Sequence, residues 1–289
     1  MLWFFLAFAT AFFSATESAL VKRWFSDLPA MEMACFSLAY SLPFFALALA
    51  LIPKPTLDPA FWPSMAYIVP LNASGFLLTI MAIKRSPLSL TMPFFSLTPA
   101  IVLGTGFLFL GEVPSPIGAA GVLALAAGGY VLNLNLARPA DVLGPFRAIA
   151  RERGSLYVIL AATVYGFTAA LGKVLIQQSA PLYAASTFFL VHNAGLLALL
   201  FATRLARPSI LLTRPRAGVV VGATMFCHIF CHYASVALVA VAYMIAIKRL
   251  NGLISVIYGG VLFKETNMRF RLAGAALMSA GAAVIALFG

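Results

Sequence analysis

The chain has 289 residues, of which 63% are hydrophobic and 9% charged, and its formal net charge is +11 at pH 7. This composition excludes a water-soluble domain and predicts an integral membrane protein that forms one helical bundle. The positive charge does not collect in a nucleic-acid-binding face, so we assign it to loops on the cytoplasmic side of a membrane.

A membrane-spanning helix needs about 20 predominantly apolar residues, and the sequence contains ten segments of this kind. Clusters of turn-forming or charged residues, such as "PKPTLDP" and "GEVPSP", separate most of them. The joint between the eighth and ninth segments, "ALVAV", lacks turn residues and is therefore poorly defined. In chain order these segments, called spans 1 to 10, cover approximately residues 2–22, 31–53, 61–83, 87–111, 115–136, 155–177, 182–203, 217–236, 239–263 and 268–288.

The ten spans divide into two sets of five, residues 1–137 and 155–289, which the polar connection 138–154 separates. The segment "LGEVPSPIGAAGVLALAAGGYV" in the first set aligns without a gap with "FKETNMRFRLAGAALMSAGAAV" in the second. This alignment matches Glu112 with Glu265, and it matches two pairs of glycines that let helices approach closely. The sequence therefore predicts an internal repeat.

Basic residues occur in the loops after spans 1, 3, 5, 7 and 9, whereas the loops after spans 6 and 8 carry no lysine or arginine. With five spans per half, equivalent loops lie on opposite membrane faces, and all of these basic loops then share one face. We therefore predict an all-α polytopic membrane protein with ten transmembrane helices arranged as two inverted five-helix repeats. The positive-inside rule places the basic loops in the cytoplasm and both termini outside.

Three polar residues in spans 1, 3 and 6 are candidates for the solute pathway. Glu17 and Lys173 occupy near-equivalent positions in spans 1 and 6, where they either form charge pairs and couple transport or extend to the membrane interface. Asn72, in "PLNASG", either contacts the solute or hydrogen bonds to another helix. Glu112 and Glu265 stand just before spans 5 and 10, where favourable electrostatics at a helix N-terminus explains them without a role in transport.

The segment "CHIFCHY" in span 8 places His228 and His232 one helical turn apart. We interpret both as residues that line a cavity and bind solute or carry a coupling proton, because histidine titrates near physiological pH. Buried, hydrogen-bonded packing is the alternative. The same spacing can share a metal on one helix face, but His192 in span 7 is the only other histidine, and we predict no metal site and no cofactor. His192 is itself a further candidate for a coupling or charge-pair role, with hydrogen bonding between helices as the alternative.

Lys248 and Arg249 stand side by side near the middle of span 9, in "YMIAIKRLNG". A charge at the bilayer centre costs roughly 3 kcal/mol on insertion scales, so both must face protein or water. Asn251 and Ser255 continue a polar stripe from Lys248 at helical spacing. Arginine offers a planar fork and lysine a compact charge for a carboxylate or phosphate, which predicts an anion-binding site. The alternative is an internal salt bridge to Glu17.

Two five-helix halves, each with an acidic residue followed by two regularly spaced glycines, resemble the EamA-type transporters of the drug/metabolite transporter superfamily. The proline-broken span 4, "SPLSLTMPFFSLTPAIVLGTGFLFLGE", is also similar to that family. Span 9, "AIKRLNGLISVIYGG", resembles the helix of the sugar-phosphate/phosphate translocators that carries a Lys-Arg pair. The resemblance implies a secondary transporter in which Lys248 and Arg249 hold an anionic group within a central cavity.

We therefore predict a secondary active transporter, not an enzyme, that moves a small phosphorylated or carboxylated solute across a bacterial inner membrane by alternating access. Energy would come from proton symport or from solute exchange. We expect a monomer whose partners are the solute, membrane lipid and a coupling proton, without nucleic acid. One alternative is an exporter of amino acids or cationic amphiphiles that uses Glu17, as the first-helix carboxylate of small multidrug pumps in the superfamily suggests. A histidine-dependent metallo- or haem protein is the alternative of another class.

Overall fold

The computed structural model describes residues 1–131, 153–264 and 271–288, and every regular element in this part of the chain is helical. The all-α prediction is confirmed for these residues. Glu265 and the predicted connection 138–154 lie outside the described residues, except for the last two positions of the connection. The α-helices are α1 (Leu2–Phe25), α2 (Ala30–Leu51), α3 (Phe61–Arg85), α4 (Leu88–Thr91), α5 (Thr98–Leu110), α6 (Pro116–Val131), α7 (Arg153–Gln177), α8 (Pro181–Ala202), α9 (Pro215–Val236), α10 (Val241–Lys248), α11 (Asn251–Phe263) and α12 (Arg271–Phe288), and two 3₁₀-helices cover Met92–Leu97 and Pro208–Leu212.

Seven segments of the described chain are long and apolar enough to cross a membrane. They are α1, α2, α3, α7, α8, α9 and the continuous stretch formed by α10 and α11. Two shorter apolar helices, Phe94–Leu110 and Pro116–Gly128, cover most of predicted spans 4 and 5. The poorly defined joint between spans 8 and 9 is a break in the structure, because α9 ends at Val236 and α10 begins at Val241.

Local sequence explains where several helices end. Ile52 and Ser86, which follow α2 and α3, are both extended, with ψ values of 130° and 155°. Each precedes a proline, and a residue before proline avoids the helical conformation. Helix α5 ends at Gly111, whose φ of 67° is left-handed, and the Gly111 amide bonds back to the last turn, as glycine does at many helix C-termini.

One end of the bundle carries most of the basic residues and is called the basic face. Contacts between segments distant in sequence define it: Arg85 Nη1 donates to the Tyr157 hydroxyl at 2.6 Å, and Arg214 Nη2 donates to Asp27 at 2.6 Å. These contacts bring the C-terminal ends of α1 and α3 beside the N-terminal ends of α7 and α9. The basic face also carries Lys22, Arg23, Lys84, Arg207 and Arg216.

The opposite end, called the terminal face, carries both ends of the described chain. Ser235 Oγ, at the end of α9, donates to the Trp3 carbonyl at 2.7 Å. Ser115 Oγ, just before α6, donates to the Phe288 carbonyl at 3.2 Å. The first and last helices therefore begin and finish on the same side of the bundle.

Spans 4 and 9 are both interrupted near their centres. In span 4 the 3₁₀-helix Met92–Leu97 lies between α4 and α5, and the proline-broken prediction is confirmed. Span 9 was predicted as one helix, which is wrong at its centre. There the Leu250 amide donates to Ile247 O and the Gly252 amide to Arg249 O, both at 3.0 Å, in the i→i+3 pattern of a 3₁₀ turn. Asparagine and glycine at 251 and 252 are poor helix formers, which favours the interruption.

Glycines allow the closest helix contacts. A Cβ atom added to Gly281 in α12 would lie 2.8 Å from Gly121 O and 2.6 Å from Leu125 N in α6, so these helices meet backbone to backbone. The predicted close approach through small residues is confirmed at this pair. A Cβ atom at Gly222 in α9 would lie 2.3 Å from the backbone carbon of Tyr40 in α2.

We expect Gly222→Ala to destabilise the protein, because the new methyl group meets backbone that cannot rotate away. Overpacking of this kind typically costs about 1–3 kcal/mol. Gly195→Ala is the matched control, since a Cβ atom there has no heavy atom within 4 Å. Thermal unfolding in detergent should give a lower Tm for Gly222→Ala only, and equal Tm values for the two variants would contradict the α2–α9 contact.

Candidate functional site

A cavity of about 130 Å³ lies among α1, α3, α7, α9 and the joint between α10 and α11. Its walls come from both sets of five predicted spans. Seven of the ten predicted site residues line this cavity, although they are scattered along the sequence. These are Glu17, Asn72, His228, His232, Lys248, Arg249 and Asn251.

Lys248 and Arg249 lie where α10 ends and α11 begins. Arg249 is only 5% exposed, and its Cζ atom lies 5.1 Å from the centroid of the Phe95 ring. Phe95 belongs to the interrupted part of span 4, so a cation–π contact joins the two interruptions. Within the described chain neither Lys248 nor Arg249 forms an ion pair. Two basic side chains therefore reach the cavity without a carboxylate partner among the described residues.

Buried polar atoms around this joint lack hydrogen-bond partners within the described part of the protein. They are Arg249 Nε, Asn251 Oδ1, Ser255 Oγ and His232 Nδ1. An unsatisfied buried polar group costs about 1–3 kcal/mol, so four together in one region call for an explanation. The Asn251 amide nitrogen already donates to Ser14 Oγ at 3.4 Å, which leaves its carbonyl oxygen as an acceptor. The joint thus offers both donors and acceptors to a polar ligand.

Glu17 is bound by a histidine and not by the lysine considered as its partner. Glu17 Oε2 lies 2.9 Å from His228 Nδ1, and the two side chains are 11% and 13% exposed. This contact links α1 to α9 across the cavity wall. It is an ion pair when His228 is protonated and a hydrogen bond when the neutral ring donates from Nδ1.

Asn72 and Ser255 differ in their access to the cavity. Asn72 lines it, and the Asn72 Nδ2 donates to Thr168 Oγ1 at 3.4 Å, so the side chain both faces the cavity and joins α3 to α7. Ser255 is 1% exposed, one helical turn beyond Asn251, and is not among the lining residues. The polar stripe predicted for span 9 therefore reaches the cavity only at its first part.

Lys173 lies near the terminal face and pairs with Glu112. Its Nζ atom also donates to the Val239 carbonyl at 2.7 Å, and Glu112 Oε2 accepts from the Val241 amide at 2.7 Å. These four residues, called the terminal-face lock, tie the α5–α6 turn to α7 and to the α9–α10 joint. From the sequence, Glu112 was explained by favourable electrostatics at the N-terminus of span 5. In the structure its carboxylate instead accepts a hydrogen bond from the first amide of α10, at Val241.

His192 is a buried residue of α8 that does not line the cavity itself, but its ring packs against Phe76 and Phe189, which do. The ring nitrogen Nδ1 is 2.7 Å from Asn193 Oδ1, and the ring stacks on Phe188 with centroids 5.9 Å apart. Asn193 Nδ2 in turn donates to Ser41 Oγ at 2.8 Å. The Nδ1 side of the ring is thus held within the core, whereas the buried Nε2 atom has no hydrogen-bond partner among the described residues.

The sequence analysis found no cluster of further metal ligands to accompany the His228–His232 pair. Within residues 1–131, 153–264 and 271–288, no three His, Cys, Asp or Glu side chains gather in a metal-binding arrangement. Protein metal sites generally use three or four such ligands.

Several residues that line the cavity were not identified from the sequence. Ser14 and Ser18 flank Glu17 on α1, and Tyr165 and Thr168 face the cavity from α7. The signal that identifies them is spacing: positions 14, 17, 18 and 21, like 165, 168, 169 and 172, follow one face of a helix. Each is a weak polar signal within an apolar span.

The fold and cavity are those of a polytopic helical membrane protein with a polar centre. A known crystal structure has a similar fold. The match covers 99% of each chain, with a TM-score of 0.72 and 17% sequence identity. Residues 1–134 match the EamA-like transporter family, in agreement with the resemblance noted in the sequence. None of the curated proteins matches the sequence.

Proposed function

We propose that the whole chain is a secondary active transporter of the EamA type, which carries a small anionic organic solute across the cytoplasmic membrane. The family match covers residues 1–134, and the fold likeness extends over 99% of the chain. The observation that carries the anionic assignment is Arg249, a buried guanidinium with an unpartnered Nε atom, next to Lys248 in the cavity wall.

The balance of charge in the cavity supports an anion. Lys248 and Arg249 contribute two positive charges, and Glu17 contributes one negative charge that already has His228 as its partner. The excess positive charge attracts a carboxylate or phosphate and repels a cationic amphiphile. The paired arrangement of lysine and arginine suits the oxygens of either group.

Helix bounds support two repeats of five helices, residues 1–137 and 155–289. Helices α5 and α11 begin at Thr98 and Asn251, 153 positions apart, and Glu112 and Glu265 have the same separation. Both helices have 13 residues, and each is followed by a left-handed residue. In addition, α1 of the first half packs on α9 of the second half, and α3 of the first half packs on α7 of the second half. Such reciprocal contacts are expected when two related halves pack against each other.

The placement of charge supports one orientation in the membrane. The basic face collects the arginines and lysines in the last turns of α1 and α3 and in the connection after α8, and the positive-inside rule puts such a face in the cytoplasm. The terminal face, and with it both ends of the described chain, would then face outward.

Alternating access requires each end of the cavity to open in turn. The terminal-face lock joins elements from both repeats, so it holds that end closed and must break when the cavity opens outward. The pair of Glu17 and His228 is the proposed site for a coupling proton, because it lies in the cavity wall where solute charge can influence it.

A thermal-unfolding screen of the purified protein tests the solute class. We expect phosphorylated or carboxylated metabolites to raise the Tm, because a ligand at 100 times its Kd stabilises a protein by about 2.7 kcal/mol. Cationic amphiphiles should leave the Tm unchanged. Stabilisation by cationic compounds that disappears in Glu17→Gln would instead support the exporter alternative.

A further inference from the structure

A second recess lies on the basic face, away from the central cavity. This basic-face groove has a volume of about 560 Å³ and forms between the end of α1 and the beginning of α9. Its lining includes three arginines and a tryptophan: Arg23, Trp24, Arg214 and Arg216. None of these residues takes part in the proposed solute site.

Only one of the three arginines is neutralised. Arg214 donates two hydrogen bonds to the Asp27 carboxylate, at 2.8 and 2.6 Å, and a further one to the Trp24 carbonyl. The bonds from Arg214 hold the pKa of Asp27 below its usual range, so the carboxylate stays ionised and committed to Arg214. Arg23 and Arg216 are exposed and have no ion pair in the described chain. Two positive charges therefore face the groove without compensation.

Apolar surface continues from the groove toward the middle of the bundle. Val219 and Val220 follow Arg216 by three and four residues, which puts them on the same side of α9, and they are 47% and 45% exposed. Leu212, in the 3₁₀-helix beside the groove, is 81% exposed. Trp24 is a residue type that favours the headgroup level of a bilayer. A free anion would not use this apolar surface, whereas an acyl chain would.

We propose that the basic-face groove binds the headgroup of an anionic phospholipid, with its phosphate between Arg23 and Arg216 and an acyl chain along Val219 and Val220. Basic pockets between membrane helices hold anionic headgroups in this way, with lysine or arginine supplying charge attraction at the membrane surface. The Asp27–Arg214 pair fixes the floor of the groove, because it connects the α1–α2 loop to the start of α9.

The experiment measures binding of phosphatidylglycerol to the full chain in detergent, by titration of the Tm, with phosphatidylcholine as the neutral lipid. Wild-type protein should be stabilised by phosphatidylglycerol and not by phosphatidylcholine. Arg23→Gln/Arg216→Gln should bind phosphatidylglycerol about thirtyfold more weakly, given about 1 kcal/mol for each basic residue at the surface. Arg207→Gln, which removes one positive charge from the same face outside the groove, as each single variant Arg23→Gln or Arg216→Gln does within it, should bind normally.

Several results would overturn the proposal. Equal losses in Arg207→Gln and in the double variant would mean that general surface charge attracts the lipid. Stabilisation by glycerol phosphate or inorganic phosphate as strong as that by phosphatidylglycerol would mean a free-anion site. The single variants Arg23→Gln and Arg216→Gln supply the same comparison if the double variant does not fold, and a wild-type affinity in both would also contradict the assignment.

Discussion

Lys248→Gln is expected to give a folded, membrane-inserted protein that no longer binds its anion. Removal of a charge near the bilayer centre favours insertion by about 2.5–3.5 kcal/mol, so expression should not fall. Lys248 has no ion pair in the described chain, and its loss therefore leaves no carboxylate unpaired. The anion-dependent rise in Tm should disappear, while the Tm without solute should stay close to that of the wild type.

Arg249→Lys is the companion variant, because it keeps the charge and removes the planar fork. Lysine cannot reproduce the paired hydrogen bonds to a carboxylate or phosphate or the stacking on Phe95. Hydrogen bonds to charged groups contribute about 1.5–3 kcal/mol each, so affinity should fall by roughly ten- to a hundredfold.

A structural role for the pair gives the opposite pattern. If Lys248 clamps Glu17, Lys248→Gln should misfold, and Glu17→Gln combined with Lys248→Gln should restore expression. The contact of Glu17 with His228 argues against this clamp. A stable Lys248→Gln protein with wild-type anion affinity would contradict the binding assignment.

Glu112→Gln should open the terminal face. The substitution removes the charged partner of Lys173. Removing one member of a buried ion pair typically costs about 3–5 kcal/mol of stability. We expect a smaller cost here, because both side chains are partly exposed. A change of this size shifts a two-state equilibrium by more than about tenfold. A cysteine at Ala169, which lines the cavity, reports the change through its rate of reaction with a membrane-impermeant thiol reagent.

The labelling experiment uses a background without Cys35, Cys227 and Cys231, and reagent added from the terminal side. We expect Glu112→Gln to raise the labelling rate at least tenfold relative to the parent protein. Asp58→Asn is the matched control. Asp58 lies on the same face, its carboxylate accepts a hydrogen bond from the Ala60 amide, and it forms no ion pair in the described chain. Equal rates in all three proteins would show that the terminal-face lock does not hold the cavity closed.

The apolar pattern of the sequence was sufficient to predict the helical class and the approximate position of each long helix. Hydrophobic length reports which segments avoid water, and this is the property that defines a membrane helix. The same pattern could not reveal the interruption at Arg249. An apolar run contains no information about whether a backbone amide bonds three or four residues back, apart from the weak helix preference of Asn251 and Gly252.

Candidate residues were easier to predict than their partners. Buried charges such as Glu17 and Lys248 are rare in membrane helices and are conspicuous in a sequence. Their contacts depend on packing between distant segments: Glu17 meets His228 from a helix more than two hundred positions away, and Lys173 meets Glu112 across 61 positions. Charge alone allowed Glu17 to pair with either cation of span 9, and only the position of α9 beside α1 selects the histidine.

Transport by proteoliposomes tests the central claim most directly. Vesicles loaded with the anion that stabilises the protein most strongly should accumulate the radiolabelled anion by counterflow, and vesicles with Lys248→Gln protein should not. Counterflow requires a cavity that opens to both sides and binds the solute, so it depends on both parts of the proposed mechanism. Counterflow at the wild-type rate by Lys248→Gln, or wild-type counterflow of cationic compounds alone, would contradict an anion transporter built around Lys248 and Arg249.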